Sequence, residues 1–289
     1  MVFILFVVLS VPVGFHHQFT DPGISAGWKL FHTVTTFSVL YPSFVTAFTI
    51  IASLEVAGRM KGAKGLFNWI GELPWSDPFF AAVALAMISF AFGGFGGAIN
   101  AAYAMNTMVH NTAWIQGHFH VTLGTTVALT FMGATYWLLP RLLGRDLRFP
   151  ILARIQPYLW FLGMVIFSTS YHLAGLRGLP RRVYSGSLSG AEGAAWHNLT
   201  HAASLGALVL FLSSLCYLIV VLGTWFAQHT EAPSFQFATP LRTVTAVGIW
   251  DRFGLWTAVA IVLVLAAYAY PILSLVAHTR YGSPPFKPF

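Results

Sequence analysis

Residues 113–139 read AWIQGHFHVTLGTTVALTFMGATYWLL, a stretch without any Asp, Glu, Lys or Arg. It exceeds the ~20 residues that an α-helix needs to cross the hydrocarbon core of a bilayer. Two histidines, His118 and His120, lie inside it. Because polar side chains at membrane depth are costly and tend to be functional, the stretch predicts a membrane-spanning helix that carries a chemical site.

The rest of the chain shares this apolar composition. Of its 289 residues, 57% are hydrophobic and only 8% are charged, and the mean hydropathy is +0.72. An ordinary soluble domain has roughly 25% charged residues. The composition therefore predicts an integral membrane protein. The net charge of +7 comes from basic residues spread thinly through short loops, which is typical of membrane topology signals and does not indicate nucleic-acid binding.

Seven apolar stretches are visible, at about 1–15, 30–54, 78–104, 113–139, 153–176, 197–227 and 253–277. The last six are long enough to span a bilayer, whereas a helix over the first would reach only ~22 Å. The first stretch lacks the basic start and small-residue cleavage site of a signal peptide. We interpret it as the second half of a transmembrane helix and expect the chain to be N-terminally incomplete.

The sequence thus predicts an all-α, polytopic transmembrane bundle of about seven segments, the first one truncated, forming a single transmembrane domain over residues 1–289. If the start is cytoplasmic, nine Lys and Arg residues lie in loops on that side and six on the other. This excess favours that orientation, because cytoplasmic loops are enriched in basic residues.

Two adjacent histidines, His16 and His17, follow the first apolar stretch in the sequence GFHHQFTDPG (14–23). Adjacent imidazoles at the end of a membrane helix can reach one metal ion when the backbone turns between them. Imidazole nitrogen suits copper, zinc or iron, and the absence of an adjacent cysteine or carboxylate favours copper. The alternative is a hydrated histidine pair in an interfacial loop.

His118 and His120 are two positions apart in the sequence HNTAWIQGHFH (110–120). On a regular helix they point about 200° apart with an axial offset of ~3 Å, so they cannot easily chelate one ion. They can instead ligate two separate centres on opposite helix faces, and two flat haems flanking one helix fit that geometry. The alternative is a pair of core histidines bonded to Thr or carbonyl groups.

Arg181 and Arg182 follow Pro180 just beyond the fifth stretch, on the side of the membrane where positive charge is otherwise disfavoured. Guanidinium groups bind carboxylates through paired hydrogen bonds. Haem propionates at the membrane surface would explain the pair, and His110 lies at the same membrane face. A site for lipid headgroups is the alternative.

A stripe of hydroxyl groups runs along the second stretch, at Thr36, Ser43, Thr46 and Thr49. Spacings of 7, 3 and 3 keep these groups on a slowly drifting face of a helix. The stripe could support a chain of waters that carries protons to a buried centre. Alternatively, the hydroxyls bond to their own i−4 carbonyls or to a neighbouring helix.

Two further features are expected to be structural. The one cysteine, Cys216, excludes an internal disulfide and a cysteine-based metal site, and its apolar neighbours predict a small buried hydrophobe. The run GGFGG (93–97) is predicted to permit close packing between helices.

Together, three phrases resemble the haem–copper oxidase catalytic subunit, cytochrome c oxidase subunit I, and are most similar to its B-type branch. They are GFHHQFTDPG (14–23), HNTAWIQGHFH (110–120) and LPRRVY (179–184). The likeness covers essentially the whole chain, as the C-terminal half of a subunit with about a dozen helices. His-His followed about a hundred residues later by His-x-His, in transmembrane context, is a specific pattern.

The resemblance implies a metal-binding role for four histidines. His16 and His17 would be two of the three copper B ligands. His118 would be the axial ligand of the high-spin haem that faces this copper, and His120 one axial ligand of the low-spin haem.

The resemblance also implies roles around the metals. Arg181 and Arg182 would hold haem propionates, and His110 would lie near a propionate of the high-spin haem. Asn106 stands where relatives of this branch often carry an acidic residue, which removes a candidate for proton loading near His110. Three hydroxyl positions match the single proton-input channel typical of the branch: Ser43, Thr46 and Thr49.

The implied function is reduction of O2 to water at a haem–copper pair, coupled to proton translocation, in a bacterial or archaeal cytoplasmic membrane. The implied partners are a subunit II with the electron-entry copper site and cytochrome c or a similar electron donor. The family's third copper ligand, cross-linked tyrosine and second low-spin haem ligand all lie upstream of this chain's start. His172, His197 and His201 match no motif that would replace them, so we expect the isolated polypeptide to be inactive.

Two alternatives stay open. Nitric oxide reductase shares the His-His and His-x-His pattern but has iron in place of copper, and acidic residues near the metals would favour it. The nearest is Asp21, after His17. A non-redox bundle or secondary transporter with incidental histidines would contain no haem and would be expected to show an internal repeat, and the sequence shows no such repeat.

Overall fold

The computed structural model describes residues 2–20, 24–183, 191–231, 234–235 and 248–278. Residues 21–23 of the first motif, with Asp21 among them, and Tyr184 of the third lie outside the described part. Within it the regular structure is helical and contains no β-strand. This confirms the predicted all-α fold class.

The described helices follow one another in a simple order. The α-helices are α1 Val2–Ser10, α2 Ala26–Ser38, α3 Leu40–Met60, α4 Pro78–Ala101, α5 Tyr103–Val109, α6 Ala113–Phe119, α7 Ala128–Leu143, α8 Pro150–Leu176, α9 Ala191–Trp225 and α10 Phe253–His278. A 3-10 helix, Val11–His17, continues α1, and a π-helix, His120–Val127, joins α6 to α7.

Six helical segments are long and apolar enough to cross a membrane: Ala26–Met60, Pro78–Ala101, Ala113–Leu143, Pro150–Leu176, Gly193–Trp225 and Phe253–Ala277. A shorter apolar helix, Val2–His17, precedes them. The predicted pattern of one short segment and six spans is therefore confirmed.

The chain divides into two compact units. Unit 1 comprises Met1–Val56, Ala98–His110 and Thr239–Phe289, and unit 2 comprises Ala57–Gly97 and Asn111–Ala238. The single transmembrane domain expected from the sequence stays a prediction.

Unit 2 contains a buried polar network that links three of its helices. The Tyr136 hydroxyl of α7 donates to Gln156 Oε1 of α8 over 3.1 Å, and Gln156 Nε2 donates to Ser213 Oγ of α9 over 3.1 Å. Gln156 and Ser213 are fully buried. Hydrogen bonds between side chains join helices in a membrane, where no hydrophobic force acts between them. On α9, Cys216 is a free thiol, half-buried rather than fully buried as expected.

The helices α6 and α8 of unit 2 are in very close contact. A Cβ atom on Gly175 of α8 would stand 2.1 Å from the backbone nitrogen of Trp114 in α6. Only a glycine permits this approach. The contact fixes α6, which carries His118, against α8.

Candidate functional site

In unit 1, His16 and His17 end the 3-10 helix that follows α1. Their ring centroids are 4.1 Å apart and their planes are inclined at 64°. Thr36 Oγ1 of α2 lies 3.4 Å from His16 Nδ1. An interaction at Nδ1 leaves Nε2 of His16 for a metal, the arrangement in which metal-binding histidines are usually held.

Side chains from two helices fix the turn that carries this pair. The Tyr268 hydroxyl of α10 accepts a hydrogen bond from the Gly14 amide over 2.6 Å and donates to the Val11 carbonyl over 2.6 Å. The Thr35 hydroxyl of α2 donates to the Pro12 carbonyl over 2.7 Å. The sequence analysis missed Tyr268 and Thr35, although a tyrosine inside an otherwise apolar span is a signal that could have identified the first.

His32 of α2, which the sequence analysis did not single out, packs behind His16 and His17. It is fully buried. Its ring centroid lies 4.7 Å from that of Phe15 and 5.4 Å from that of Tyr268. Aromatic rings therefore pack closely against the 3-10 helix that ends in His16 and His17.

Asn106 and His110 occupy α5 and its C-terminal end, also in unit 1. The His110 amide donates to the Asn106 carbonyl over 2.7 Å, and Asn106 Nδ2 donates to the Asn100 carbonyl over 2.8 Å. Both asparagines are buried, and within the described part of the chain neither Asn106 Oδ1 nor the side-chain amide of Asn100 has a hydrogen-bond partner. Buried amides in this state are suited to holding water.

The predicted hydroxyl stripe lies on α2 and α3 of unit 1, and every hydroxyl in it donates to its own helix. The acceptors are carbonyls four residues earlier, at 2.5–2.9 Å, for Thr36, Ser43, Thr46 and Thr49. Hydrogen bonds to i−4 carbonyls were the structural alternative to a proton-carrying water chain. The oxygen lone pairs can still accept from water, so the geometry is compatible with a water chain and does not show one.

In unit 2, His118 and His120 contact different helices. A Cβ on Gly96 of α4 would lie 2.9 Å from His118 Nδ1, so this ring lies directly against α4. The His120 ring lies against Phe167 of α8, with centroids 4.5 Å apart. The contact with Gly96 also agrees with the prediction that the glycine run permits close packing.

The ring of His120 is held by its own helix. His120 Nδ1 lies 2.7 Å from the carbonyl of Gln116, so Nδ1–H donates and Nε2 keeps its lone pair. A carbonyl that accepts from the distal ring nitrogen orients an imidazole for metal binding. The residues present therefore fit an axial haem ligand at this position.

The turn with Arg181 and Arg182 is tied to the start of α6. The Arg181 amide donates to the Asn111 carbonyl over 2.7 Å, and the Ala113 amide donates to the Leu179 carbonyl over 2.8 Å. Arg182 has φ +59°, a left-handed conformation that costs a non-glycine residue free energy. The backbone thus holds the arginine pair beside the helix that bears His118 and His120.

Among the described residues, the guanidinium of Arg181 has no anionic partner. Its carbon lies 6.0 Å above the Phe119 ring, and its buried Nε has no hydrogen-bond partner within the described part of the chain. Partial burial and then the nearby charge of Arg182 lower the pKa of Arg181 below its usual value. A carboxylate placed here would satisfy Nε and offset both effects, so the site fits a haem propionate.

The two sets of predicted ligands lie in different units. His16, His17 and His110 belong to unit 1, whereas His118, His120 and Arg181 belong to unit 2. A common site stays a prediction. Among the described residues no group of three or more His, Cys, Asp or Glu side chains is arranged to hold a metal.

Comparison with known proteins gives a consistent result. The family described as Cytochrome C and Quinol oxidase polypeptide I matches residues 1–209. Cytochrome c oxidase subunit 1 of Thermus thermophilus is 43% identical over 291 residues, which cover 96% of this chain and 51% of that protein. Quinol oxidase subunit 1 of Bacillus subtilis is 29% identical over 254 residues, covering 84% of this chain and 34% of that protein.

A solved structure gives the same result for the fold. A chain of a heme-copper terminal oxidase dimer superimposes with a TM-score of 0.87 at 34% identity, covering 94% of this chain and 49% of that one. The chain therefore spans about half the length of the Thermus relative and of this structure. The apolar spans and the bacterial relatives identify a multi-pass integral membrane protein.

Proposed function

Because the chain belongs to the Cytochrome C and Quinol oxidase polypeptide I family, we propose that it contributes to the catalytic centre of a respiratory oxidase that reduces O2 to water. The observation that carries this proposal is the helix with His118 and His120. Their rings contact different helices, and beside them lies Arg181, whose buried Nε has no hydrogen-bond partner among the described residues. This arrangement suits two haems with propionates at one end.

Each histidine has one role in the proposal. His118 binds the iron of the high-spin haem and His120 binds the iron of the low-spin haem through Nε2. His16 and His17 give two ligands to copper B, which takes its third ligand from outside this pair. When bound, the two haems and the copper supply the electron transfer and the metal centre at which O2 is reduced.

The remaining residues position the cofactors and move protons. Arg181 and Arg182 hold haem propionates by charge-assisted hydrogen bonds, and His110 lies near a propionate of the high-spin haem. Asn106 keeps a polar, uncharged environment next to His110. Water bonded to the hydroxyls of the stripe delivers protons toward Thr36, which lies 3.4 Å from His16 Nδ1.

The proposed partners are a subunit II with the electron-entry copper site and cytochrome c or a similar donor. The lipid bilayer surrounds the spans. Family membership supports these partners, and with them the chain would belong to an aerobic electron-transport complex coupled to proton translocation.

The test is metal and haem analysis of the complex purified from its own membranes with this chain in it. We expect haem iron, copper, and O2 consumption driven by reduced cytochrome c or quinol. His17→Ala should lower the copper content and leave the low-spin haem spectrum in place, with exposed His229→Ala as the control. A copper-free complex that consumes nitric oxide would assign the chain to nitric oxide reductase, and a haem-free complex would exclude both.

A further inference from the structure

Two histidines outside the proposed catalytic centre form a close pair near the start of α9. Nε2 of His197 and Nε2 of His201 are 3.0 Å apart, and the ring centroids are 4.2 Å apart. Both side chains are exposed. The two residues are four positions apart, which places both rings on the same face of the helix.

This face of α9 is distinct from the one that packs on α8. Next to the pair, Trp196 is buried, and its Nε1 donates to the Arg177 carbonyl over 2.9 Å. About two and three turns further on, Ala203 is buried and Gly206 lies against Phe167 of α8. The imidazole pair therefore lies on a surface that the packing of unit 2 leaves open.

The length of α9 places the pair toward one end of the membrane span. The helix has 35 residues and is ~52 Å long, whereas the hydrocarbon core is about 30 Å thick. The ~20 residues that end at Trp225 are enough to cross this core. His197 and His201 lie four and eight residues after the start of the candidate span Gly193–Trp225. Because this span is longer than the core is thick, its first turns can lie at the level of the headgroups, where water has access.

The spacing of the two nitrogens suits a metal ion. With metal–nitrogen bonds of about 2.0–2.1 Å, a separation of 3.0 Å corresponds to an angle of roughly 95° at the metal. This angle is that of neighbouring positions in square-planar or octahedral coordination, which Cu²⁺ and Ni²⁺ prefer. Without a metal, one Nε2–H donates to the other Nε2. Metal binding needs both lone pairs, so the donating ring then carries its proton on Nδ1.

We propose that His197 and His201 form a two-histidine surface site for a divalent transition-metal ion of the Cu²⁺ or Ni²⁺ type, with water in the remaining positions. The site is separate from copper B and the haems, and it does not depend on the proposed oxidase activity. Neither residue belongs to the motifs that identify the family.

The test uses Ni²⁺ alone as the probe, because nickel is foreign to the proposed catalytic centre. The untagged, detergent-purified complex is dialysed to equilibrium against increasing Ni²⁺, and bound nickel is counted by atomic absorption. We expect one Ni²⁺ per chain in the wild type. His197→Ala and His201→Ala should each weaken this binding at least tenfold, because one imidazole cannot chelate.

Two further variants test the geometry. His229→Ala removes an exposed histidine that has no imidazole neighbour at this spacing among the described side chains, and nickel binding should not change. Gly193→His combined with His201→Ala rebuilds a pair four residues apart, 193 and 197, and should restore binding. Unchanged nickel binding in both single variants would overturn the proposal, as would equal loss in His229→Ala or no recovery in the double variant.

Discussion

The imidazole of His118 has little room to move, because its Nδ1 edge lies against the backbone of α4 at Gly96. The ring of His120, two positions further along the chain, is held by the Gln116 carbonyl and by Phe167. Two side chains of the same type, close in sequence, are therefore oriented by different neighbours. Each orientation can be changed separately by substitution.

Gly96→Ala should displace the His118 ring, because the added Cβ would lie 2.9 Å from His118 Nδ1. We expect the CO-difference spectrum of the high-spin haem to weaken or shift in membranes that contain the complex, with the low-spin haem spectrum retained. Gly94→Ala is the matched control, since no atom outside its own helix lies within 4 Å of its Cβ position. Equal spectra for the two variants would argue against His118 as the high-spin ligand.

Arg181→Gln should weaken the hold on a haem propionate. The loss of a charge-assisted hydrogen bond is expected to cost about 1.5–3 kcal/mol. Arg181→Lys should restore only part of the effect, because an ammonium group lacks the paired donors of a guanidinium. The measurement is haem content per chain after detergent washing. Burial and then the charge of Arg182 lower the pKa of Arg181 below its usual value. Because the guanidinium loses its charge as the pH rises through this pKa, the wild-type loss of haem should increase toward alkaline pH. Full haem retention in Arg181→Gln would contradict the assignment.

At the scale of elements, the 3-10 helix of unit 1 that ends in His16 and His17 depends on α10 for its geometry. The Tyr268 hydroxyl satisfies two backbone groups of the 3-10 helix, the Gly14 amide and the Val11 carbonyl. Tyr268→Phe leaves both groups without this partner, which should cost about 1–3 kcal/mol and loosen the turn. We expect lower copper content with little change in the haem spectra.

Tyr270→Phe is the control for this variant. Tyr270 lies in the same helix, is 65% exposed, and stacks on Trp28 through its ring, with centroids 6.1 Å apart. Removal of its hydroxyl should leave copper content unchanged. If Tyr268→Phe behaves like Tyr270→Phe, the turn does not need α10 for its geometry.

At the scale of the whole molecule, six alternating spans assign a side of the membrane to every loop. The loop with Lys64 and the turn with Arg177 are separated by three spans, so they should face opposite sides. In a Cys216→Ser background, Arg177→Cys should react with an impermeant maleimide on intact cells, and Lys64→Cys only after permeabilisation. The reverse pattern would invert the orientation favoured by the loop charges.

The sequence was sufficient to predict the spans, because a run of apolar residues with few charges has one stable environment. The ligand types and their spacing in the motifs were also visible. The contacts that orient these ligands were not, because Tyr268 reaches Gly14 across more than 250 residues of chain. Nor could the spacing show that the hydroxyls of Thr46 and Thr49 donate to their own helix. A water chain along the stripe and hydrogen bonds within the helix need the same residues at the same positions.

The π-helix at His120–Val127 has a consequence for how the histidine span can change over time. A π turn holds one residue more than an α turn, so it shifts the phase between the residues before it and those after it. Deletion of one residue within it can be absorbed by conversion of the wide turn to α-helix, which would keep His118 in nearly the same orientation relative to α7. This span can therefore lose one residue at the π-helix without turning its histidines away from their neighbours, whereas the same deletion in a regular α-helix would rotate one half by about 100° relative to the other.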